Sequence, residues 1–385
     1  MRICLYTNTA FPSIGGQEVV VDELAKQYQQ AGHYVVVVAP DHPQASGFDR
    51  QAPYQIARHP RFISTRWLLS WYGSCFKRLQ QRHQFDVVHC HNIYPAGYVA
   101  LMLGERRPLV AITSHGGDVR EDNPRFSKPG LISRHRRVLS DADAIVSIGP
   151  FTDEGFSRLG VPRHKMHRIT NGVHVDHLSQ CVSRPDSLPA SLQNNDFYLF
   201  LGRLAHRKGV DVLLRAIALM KHQGKHKVKL AIGGDGPERS NLEALAQQAG
   251  ISDYVVFLGK VAGDTKRWLL QQARCMVIPT REWEALPMVL LEAHAAGCPV
   301  LASDAPGLLG LVEQDVTGWV TAREDHVALA RQLQIVDDMP MQRIQSIRDA
   351  GKQKARKYDW PCIAEQHITL FEQLHDQRAG LKSAA

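Results

Sequence analysis

The stretch CMVIPTREWEALPMVLLEAHAAGCPVLAS, residues 275–303, decides the fold class of this chain. Its two ends, "CMVIPT" and "PVLAS", are short apolar runs of the kind that form buried strands in a parallel sheet. Between them, Pro287 suits the first turn of a helix, because its missing N–H would have no partner there. Gly297 suits the helix end. Strand, helix and strand in this order predict a βαβ unit.

The same alternation runs along both halves of the chain. Strands are indicated in the first half by "RICLYTN", "YVVVVAP", "FDVVHCHN", "LVAITSHGG" and "DAIVSIG", and in the second by "FYLFLGRL", "VKLAIGGDG" and "VVFLGKV". Strands interleaved with helices predict an α/β fold with two doubly wound, Rossmann-like domains. Because open α/β sheets bind ligands at the carboxyl ends of their strands, we expect the two sheets to face each other across a cleft.

A polar, proline-containing stretch, residues 179–196, holds little that could be buried and is therefore predicted to be a linker. We expect an N-terminal domain over residues 1–180 and a C-terminal domain over residues 181–350. Residues 351–385 are expected to form a helix that packs back toward the N-terminal domain. The end of that segment, "RAGLKSAA", is expected to be disordered.

The composition is that of a soluble globular protein with an anionic partner. The 385 residues are 44% hydrophobic and carry a net charge of +8. No apolar run is long enough to span a bilayer, and the N-terminus lacks the features of a signal peptide, so we expect a cytoplasmic protein. No recognised nucleic-acid-binding motif appears, which disfavours nucleic acid as the partner. The seven cysteines show no metal-ligand spacing and are expected to be reduced core thiols.

Several loops that follow predicted strands carry glycines and cations. Gly15 and Gly16 lie between the first strand and the first helix, where free N–H groups could bind an anion or the loop could merely need glycine. Arg203 and Lys208 follow the first strand of the second half, and such a pair can bind phosphate. Two solvated loop cations are the alternative, which their position after a strand disfavours. Gly234 belongs to the turn "IGGDGP", in which the neighbouring aspartate is expected to cap the turn.

Two glutamates flank the start of the helix in the opening stretch. Glu284 lies in the loop before the helix, and Glu292 lies inside it. The free N–H groups near Leu286 and Met288 could hold a phosphate, whereas carboxylates accept hydrogen bonds from sugar hydroxyls. This layout suits a ligand with sugars on both sides of a diphosphate, as in a nucleotide sugar. A surface helix with two solvated glutamates is the alternative, which the apolar run between them disfavours.

Two further loops of the first half carry polar side chains that could contact a ligand. His115 and Asp118 belong to "TSHGGD", which follows a predicted strand. A histidine there could bind a sugar or a leaving phosphate, although most of the 19 histidines in the chain are expected to be structural. Asn171 belongs to "NGVHVD", which by itself indicates only a turn.

Together these pieces resemble the retaining GT-B glycosyltransferases of family 4. The resemblance rests on segments that follow the family's order over roughly residues 1–322: "GGQEVVVDELAKQYQQAGHYVVVV", "DVVHCHN", "TSHGGD", "TNGVHVD", "LGRLAHRKGVDVLLRAI", "IGGDGPERSNLEALA", "VVFLGKV" and "EALPMVLLEAHAAGCPVLAS". It implies a GT-B fold and a retaining, metal-independent transfer of a hexose from a nucleotide sugar, a UDP-sugar ahead of a GDP-sugar. The implied acceptor is a hydroxyl of a cell-envelope polysaccharide, a glycolipid or a glycoside.

The resemblance also implies roles for single residues. Glu284 would contact the donor hexose and Glu292 the ribose, and His115 would contact the transferred sugar. Catalytic roles fall to His115 and Glu284, with weaker acceptor or sugar contacts at Asp118 and Asn171. The groups implied to contact the donor are Gly15, Gly16, Arg203, Lys208, Gly234, Val261, Leu286, Pro287, Met288 and Glu292. No cofactor and no metal ligand is implied.

The chain departs from the family pattern at Ala285, where family members often have glycine, and around "DAPGLLGLVEQDVTG". These changes concern the selection of the donor sugar. Three alternatives stay open: another GT-B enzyme such as an epimerase or a phosphorylase, a glycosidase that uses Glu284 and Glu292 as acid and nucleophile, and a catalytically silent nucleotide-sugar-binding protein.

The stretch "RHPRFISTRWLLSWYGSCFKRLQQRHQ", residues 58–84, mixes cations with aromatic residues and has no acidic residue. Such a segment could rest on an anionic membrane at the inner face of the cell and meet a lipid-linked acceptor. An amphipathic helix packed on the first sheet, with a solvated basic face, is the alternative.

Overall fold

A computed structural model gives the fold of the chain and describes residues 1–13, 15–61, 66–104, 107–192, 197–224 and 229–383. The chain folds into two compact units. Unit 1 contains Met1–Gly172 together with Trp360–Ala385, and unit 2 contains Val173–Asp359. Each unit is built around one parallel sheet, so the predicted α/β class with two Rossmann-like domains is confirmed.

In the described residues, the sheet of unit 1 has seven strands in the order β3-β2-β1-β4-β5-β6-β7. These strands are β1 Arg2–Tyr6, β2 Tyr34–Pro40, β3 Gln55–His59, β4 Val87–Cys90, β5 Leu109–Thr113, β6 Ala144–Ser147 and β7 Met166–Arg168. The chain builds outward from β1 to β3 and then returns to the other side of β1. The order therefore reverses between β1 and β4.

The described sheet of unit 2 has six strands in the order β10-β9-β8-β11-β12-β13. These strands are β8 Phe197–Leu201, β9 Lys229–Gly233, β10 Val255–Gly259, β11 Cys275–Ile278, β12 Val300–Ser303 and β13 Gly318–Thr321. All of its pairings are parallel, and the order reverses between β8 and β11.

Helices cover the faces of both sheets. They are α1 Gly16–Gln30, α2 Ala45–Gln51, α3 Arg66–His83, α4 Tyr98–Leu101, α5 Pro129–Asp141, α6 Pro150–Arg158, α7 Val175–Ser179, α8 Val210–His222, α9 Arg239–Gln248, α10 Gly263–Gln272, α11 Met288–Ala296, α12 His326–Asp337, α13 Met341–Ala355 and α14 Trp360–Ser383. None of the described helices is both long and apolar enough to cross a membrane.

The central strands are uniformly apolar because both of their faces are covered. In β2 the residues from Val35 to Ala39 are all buried, and Ile3 of β1 lies opposite Val35 on one side and Val87 on the other. In unit 2 the apolar faces of α8 and α12, including Leu213 and Leu333, pack into one buried cluster with the sheet. Such residues carry most of the hydrophobic stabilisation.

The polar stretch predicted to be a linker is packed against unit 2 as far as residue 192. Leu188 and Leu192, spaced four apart, are buried, and the guanidinium of Arg184 lies 5.7 Å from the centre of the Trp268 ring. The other described residues of the stretch are exposed or partly exposed, as expected, but the stretch lies within unit 2, which begins at Val173. Residues 193–196 lie outside the described part of the chain.

The last helix, α14, belongs to unit 1. A Cβ atom on Gly172 would lie 2.4 Å from the Trp360 ring, so the two chain segments of unit 1 meet in close contact at the start of α14. Near the other end, Arg378 binds Asp143 at 2.7 Å and the Arg107 carbonyl at 2.9 Å. These bonds explain why the helix continues through Ser383, into the segment that was expected to be disordered.

The seven cysteines are all free thiols. Cys4, Cys90 and Cys275 lie buried in strands as expected, whereas Cys181 and Cys362 are exposed and so do not belong to a core.

Candidate functional site

The loops after β8 and β9 in unit 2 approach each other backbone to backbone. Gly234 has a φ of +145°, and a Cβ atom there would lie 1.8 Å from the Gly202 carbonyl oxygen. A Cβ atom on Gly236 would lie 2.3 Å from the Leu204 carbonyl oxygen. Only glycine allows this approach at Gly234. Asp235 accepts a hydrogen bond from the Gly236 N–H at 2.9 Å, which confirms the turn-capping role expected for it.

Lys208 and Glu284, which are 76 positions apart in the sequence, meet in a partly buried ion pair. The Glu284 side chain is almost fully buried, and its Oε1 atom accepts a hydrogen bond from the Thr280 hydroxyl at 3.3 Å. Arg207 lies 3.6 Å from the same oxygen and stacks over the Trp283 ring at 5.3 Å. One carboxylate is thus surrounded by two cations and a hydroxyl at the carboxyl edge of the sheet.

The backbone around Glu284 is held by the loop that follows β12. The Glu284 N–H donates to the Pro306 carbonyl at 2.9 Å. Gly307 has a φ of +90°, and a Cβ atom there would lie 1.6 Å from the Glu284 carbonyl oxygen. The position of Glu284 therefore depends on a glycine 23 residues further along the chain.

Helix α11 begins immediately after the loop that carries Glu284. Pro287 is its N-cap residue rather than a member of its first turn, and no side chain caps the first N–H groups among the described residues. Leu286 is buried, whereas Met288 is partly exposed. Glu292 lies one turn into the helix and is bound by Lys266 at 2.6 Å. The two glutamates thus have different cationic partners.

The other predicted donor residues of unit 2 differ in their surroundings. Arg203 is exposed at the edge of the loop after β8, and it is not part of the partly buried pair. Val261 follows β10, and its methyl group lies 2.8 Å from where a Cβ atom on Gly233 would stand. Val261 therefore lines the same glycine loop as Gly234.

A second ion pair, missed by the sequence reasoning, holds the loop that carries Lys208. Arg281 binds both carboxylate oxygens of Asp211, at 2.6 and 2.5 Å, and donates to the His206 carbonyl at 2.9 Å. Burial alone would raise the pKa of Asp211, but the hydrogen bonds and charge of Arg281 hold it below its usual value. The sequence shows Arg281 two residues after Pro279, but no neighbouring residue indicates that its partner is Asp211.

In unit 1, the loop at Gly15 and Gly16 holds a carboxylate of the protein itself. Gly15 is the N-cap of α1 and is extended, and a Cβ atom there would lie 2.5 Å from the Glu18 carboxylate. That carboxylate also accepts a hydrogen bond from Thr9. A carboxylate is favourable at a helix N-terminus, so a phosphate at this loop would have to displace Glu18.

His115 belongs to a cluster of histidines in unit 1, in which His89, His91 and His367 are buried. Its Nε2 atom lies 3.1 Å from Nδ1 of His91, whose ring lies 4.3 Å from that of His89. His89 in turn contacts Thr113 at 2.7 Å and the ring of His367 at 4.8 Å. Burial lowers the pKa of His115 to about 4, so the imidazole is neutral near pH 7 and can act as a hydrogen-bonding group there.

Asp118 and Asn171 are both buried in unit 1. Asp118 accepts hydrogen bonds from the Ser114 hydroxyl and, at 2.8 Å, from the Ile93 N–H. Both of its carboxylate oxygens are therefore used to join two loops. Among the described residues of either unit, no three His, Cys, Asp or Glu side chains are arranged to hold a metal ion.

Two sequence families match the chain. "Glycosyltransferase Family 4" matches residues 14–177, and "Glycosyl transferases group 1" matches residues 189–355.

Relatives and solved structures match along nearly the full chain. An uncharacterized glycosyltransferase of Methanocaldococcus jannaschii is 28% identical over 97% of this chain and 98% of its own. A GDP-mannose-dependent alpha-(1-6)-phosphatidylinositol monomannoside mannosyltransferase of Mycobacterium tuberculosis is 28% identical over 83% of this chain and 84% of its own. Sucrose-phosphate synthase from Thermosynechococcus elongatus has a similar fold, with a TM-score of 0.78 at 22% identity over 98% of this chain and 100% of its own. The chain belongs to glycosyltransferase family 4 and has the GT-B fold.

Proposed function

We propose that this glycosyltransferase moves a hexose from a nucleoside diphosphate sugar to a hydroxyl of a glycolipid, polysaccharide or glycoside, with retention and without a metal ion. The observation that carries the proposal is the partly buried pair of Lys208 and Glu284 beside the N-terminus of α11, which no described side chain caps. A cation, free N–H groups and a carboxylate in one place suit a diphosphate linked to a sugar.

Donor binding would exchange the partners of Lys208. In the free protein its ammonium group neutralises Glu284. A diphosphate at the N-terminus of α11 would attract Lys208, with Arg203 and Arg207 nearby in the chain as further cations. The Glu284 carboxylate would then be free to accept hydrogen bonds from the hexose hydroxyls. Glu292 would exchange Lys266 for the ribose hydroxyls in the same way.

The transfer itself would proceed at the face of the sugar from which the diphosphate leaves. The acceptor oxygen forms a bond to the anomeric carbon while the bond from that carbon to the diphosphate oxygen breaks, and the acceptor proton passes to a phosphate oxygen. Cations at Lys208 and Arg203 would stabilise the departing diphosphate. His115, which is neutral near pH 7, would hydrogen-bond the transferred sugar. That Gly15 and Gly16 border the phosphates stays a prediction.

A UDP-sugar is the favoured donor, followed by a GDP-sugar. The mycobacterial relative is GDP-mannose-dependent by name and acts on a phosphatidylinositol mannoside, which makes a lipid-linked acceptor a reasonable choice to test. A test of the donor must therefore include both bases.

The experiment is a thermal-shift series of the full chain with UDP, GDP, ADP and their sugar conjugates, with and without EDTA. Ligand at about a hundred times its Kd adds about 2.7 kcal/mol to the free energy of unfolding. We expect a rise in Tm of several degrees with one base and no effect of EDTA. Release of the nucleotide only when an acceptor is added would then identify a transferase.

Analysis of the reaction products separates the alternative functions. Conversion of the nucleotide sugar into its epimer without an acceptor alcohol favours an epimerase, and sugar phosphate formation from a glycan favours a phosphorylase. Binding without turnover favours a silent binding protein. Hydrolysis of glycosides without any nucleotide would indicate a glycosidase and would contradict the proposal.

A second component of the proposal is contact with an anionic membrane surface through α3, at the cytoplasmic face. Leu69, Tyr72 and Phe76 of α3 are buried, as expected of an amphipathic helix packed on the sheet. Residues 62–65 and the side chains of 66–68, which belong to the predicted membrane segment, lie outside the described residues.

The outer face of α3 combines charge with exposed apolar surface. Lys77, Arg78 and Arg82 are exposed there, and Trp71 beside them is 44% exposed. Met102, at 43%, borders this face where α4 packs against α3. Trp71 and Met102 are the exposed large apolar side chains in the described part of unit 1. A basic face with an aromatic side chain is complementary to anionic lipid.

Co-sedimentation with vesicles of phosphatidylglycerol and phosphatidylcholine tests this component. Changing Lys77, Arg78 and Arg82 to Gln is expected to weaken binding by on the order of a hundredfold, since each cation contributes about 1 kcal/mol. High salt should weaken binding of the unchanged protein in the same direction.

A matched triple variant of exposed cations in unit 2, Arg331→Gln, Arg356→Gln and Lys357→Gln, is the control. Equal loss in both triple variants would mean that net charge alone drives binding. If the unchanged protein does not bind the vesicles at low salt, the proposed membrane contact is contradicted.

A further inference from the structure

The imidazole of His91 lies beside His115, the side chain that is proposed to contact the transferred sugar. His91 follows β4, and its backbone N–H donates to the Tyr6 carbonyl at 2.9 Å, which ties it to β1. Its ring is fully buried, whereas His115 is partly exposed. Nδ1 of His91 lies 3.1 Å from Nε2 of His115, and the two ring planes differ by only 10°. One hydrogen bond therefore joins the two rings.

The direction of this hydrogen bond depends on which nitrogen of each ring carries the proton. Burial lowers the pKa of both rings, so each ring is neutral near pH 7 and has one N–H and one bare nitrogen. One of the two facing nitrogens must donate to the other. The bond therefore requires either a proton on Nδ1 of His91 or a proton on Nε2 of His115.

The surroundings of His91 select between these two arrangements. Its Nε2 atom is buried and has no hydrogen-bond partner among the described residues. A proton on Nε2 would be a buried N–H without an acceptor, which folded proteins rarely contain, whereas an unused acceptor is tolerated more often. The ring of His89 lies 4.3 Å away, but its own nitrogens face Tyr28 and Thr113. The proton of His91 is therefore expected on Nδ1, from which it is donated to His115.

This hydrogen bond determines what His115 can do. With Nε2 as the acceptor, the neutral ring carries its own proton on Nδ1. That Nδ1 atom has no hydrogen-bond partner among the described residues, and it is not enclosed as Nε2 of His91 is. His115 then offers a ligand an N–H donor and has no bare nitrogen with which to remove a proton.

We propose that His91 is a positioning residue that keeps His115 in the Nδ1–H tautomer. His115 then donates a hydrogen bond to the transferred sugar and does not act as a base. The contact with the sugar rests on the proposed function, whereas the tautomer rests on the cluster of histidines alone. The acceptor proton passes to the leaving phosphate, because the His115 ring has no free basic nitrogen.

The first test is NMR spectroscopy of the full chain with ¹⁵N-labelled histidine at pH 7.5. The couplings between ring nitrogens and ring protons distinguish the two neutral tautomers, and the signals lost in His91→Leu and His115→Phe identify the two rings. We expect both rings of the unchanged protein in the Nδ1–H tautomer. A proton on Nε2 of either ring would overturn the proposal.

Two substitutions of similar size separate positioning from packing. In His91→Asn, the amide nitrogen stands close to the former Nδ1 position and can still donate to His115. In His91→Leu no donor remains, so we expect a mixture of His115 tautomers and a kcat at least tenfold lower. KM for the donor should stay within threefold, because most donor contacts are proposed in unit 2. His91→Asn should retain the Nδ1–H tautomer and a kcat within threefold of the unchanged protein.

His367→Leu is the matched control. His367 is buried in the same cluster, and no hydrogen bond among the described residues joins it to His115. The substitution should change neither the tautomer of His115 nor kcat. An unchanged kcat or an unchanged His115 tautomer in His91→Leu would overturn the proposal. An equal loss of kcat in His91→Leu and His91→Asn would show that His91 acts by packing, which also overturns it.

This proposal and the proposed function fail separately because the NMR measurement needs no substrate. The expected tautomers without any transfer activity would support the pairing of the two rings and contradict the proposed function. Transfer activity with a proton on Nε2 of His115 would overturn the role of His91 and leave the proposed function in place.

Discussion

At the scale of the residue, Glu284 shows how a carboxylate can be buried and still be charged. Its side chain is almost fully excluded from water, and Lys208, Arg207 and Thr280 surround one of its oxygens. A buried charge that loses its partner is costly, whereas one that exchanges its partner for a ligand is not. This makes the Lys208–Glu284 pair suitable for binding and releasing a diphosphate sugar.

Replacing Lys208 by Met is expected to lower the transfer rate by roughly 10²–10³-fold, because a cation that stabilises the leaving group is lost. The free energy of unfolding should also fall, by roughly 2–3 kcal/mol, less than the full cost of an unpaired buried charge because Arg207 and Thr280 remain. Steady-state kinetics and urea unfolding measure the two effects.

The matched control is Lys357→Met, which removes an exposed lysine of unit 2 and should change neither quantity. A Lys208→Met protein with the transfer rate of the unchanged protein would contradict the role assigned to this side chain.

At the scale of the element, the loops of unit 2 are positioned by backbone contacts between segments that follow different strands. The loop after β12 touches the loop after β11 at Gly307, and the loop after β9 touches the loop after β8 at Gly234. Glycine is required at these points because the facing carbonyl oxygens leave no space for a Cβ atom. The site is therefore assembled from four loops that are joined by backbone contacts.

Gly307→Ala is expected to move the Glu284 loop, because the new Cβ atom would lie 1.6 Å from the Glu284 carbonyl oxygen. We expect a loss of nucleotide-induced Tm shift as well as a loss of stability. Gly310 provides the comparison, since its φ is +81° but nothing lies within 4 Å of its Cβ position.

Gly310→Ala should therefore cost only the roughly 1–2 kcal/mol of the left-handed backbone and should retain the nucleotide shift. If both variants lose stability equally and both keep the shift, the contact at Gly307 does not position Glu284.

At the scale of the whole molecule, unit 1 has a core that contains a cluster of neutral imidazoles. His89, His91, His115 and His367 lie together, and burial lowers the pKa of each, to about 4 for His115 and to about 3 for His367. Since α14 contributes His367, the segment that returns after unit 2 completes this core. The stability of unit 1 should therefore depend on pH.

In the unfolded chain these histidines titrate near pH 6.5, whereas in the folded chain they stay neutral to lower pH. Their contribution is therefore complete above about pH 6.5 and is lost as the pH falls toward about 4. Each histidine that gains a proton on unfolding should lower the free energy of unfolding by about 1.4 kcal/mol per pH unit in this window. Urea unfolding between pH 7.5 and 4.5 measures the slope.

His367→Leu should reduce that slope by the share of one proton, whereas His164→Leu, at an exposed position, is the control. Burial alone would raise the pKa of Asp143, but the hydrogen bonds from Arg107 and Val110 and the charges of Arg107 and Arg378 lower it by more, so that it lies below its usual value. Its contribution is lost only below about pH 4, outside this window. Equal slopes in both variants would show that His367 stays out of this titration.

Much of the fold was predictable because the signals for it are local. Uniformly apolar runs predicted the parallel strands, and glycine and proline predicted the ends of α11 to within a residue. The order of the motifs predicted the family. The continuation of α14 was predicted wrongly, because Arg378 anchors a segment whose composition gives no sign of it. The stretch 179–196 was predicted to be a linker, whereas its described residues belong to unit 2.

The sequence by itself determined the α/β class, the two sheets and the list of loops that can carry a donor site, because strand and helix periodicities are properties of neighbouring residues. Only the tertiary structure decided that Lys208 pairs with Glu284 and Glu292 with Lys266. It also decided that Glu18 lies against Gly15 and that the rings of His91 and His115 meet. Most of these contacts join residues that are far apart in the chain, and such contacts depend on how the strands are ordered in a sheet, which no local pattern encodes.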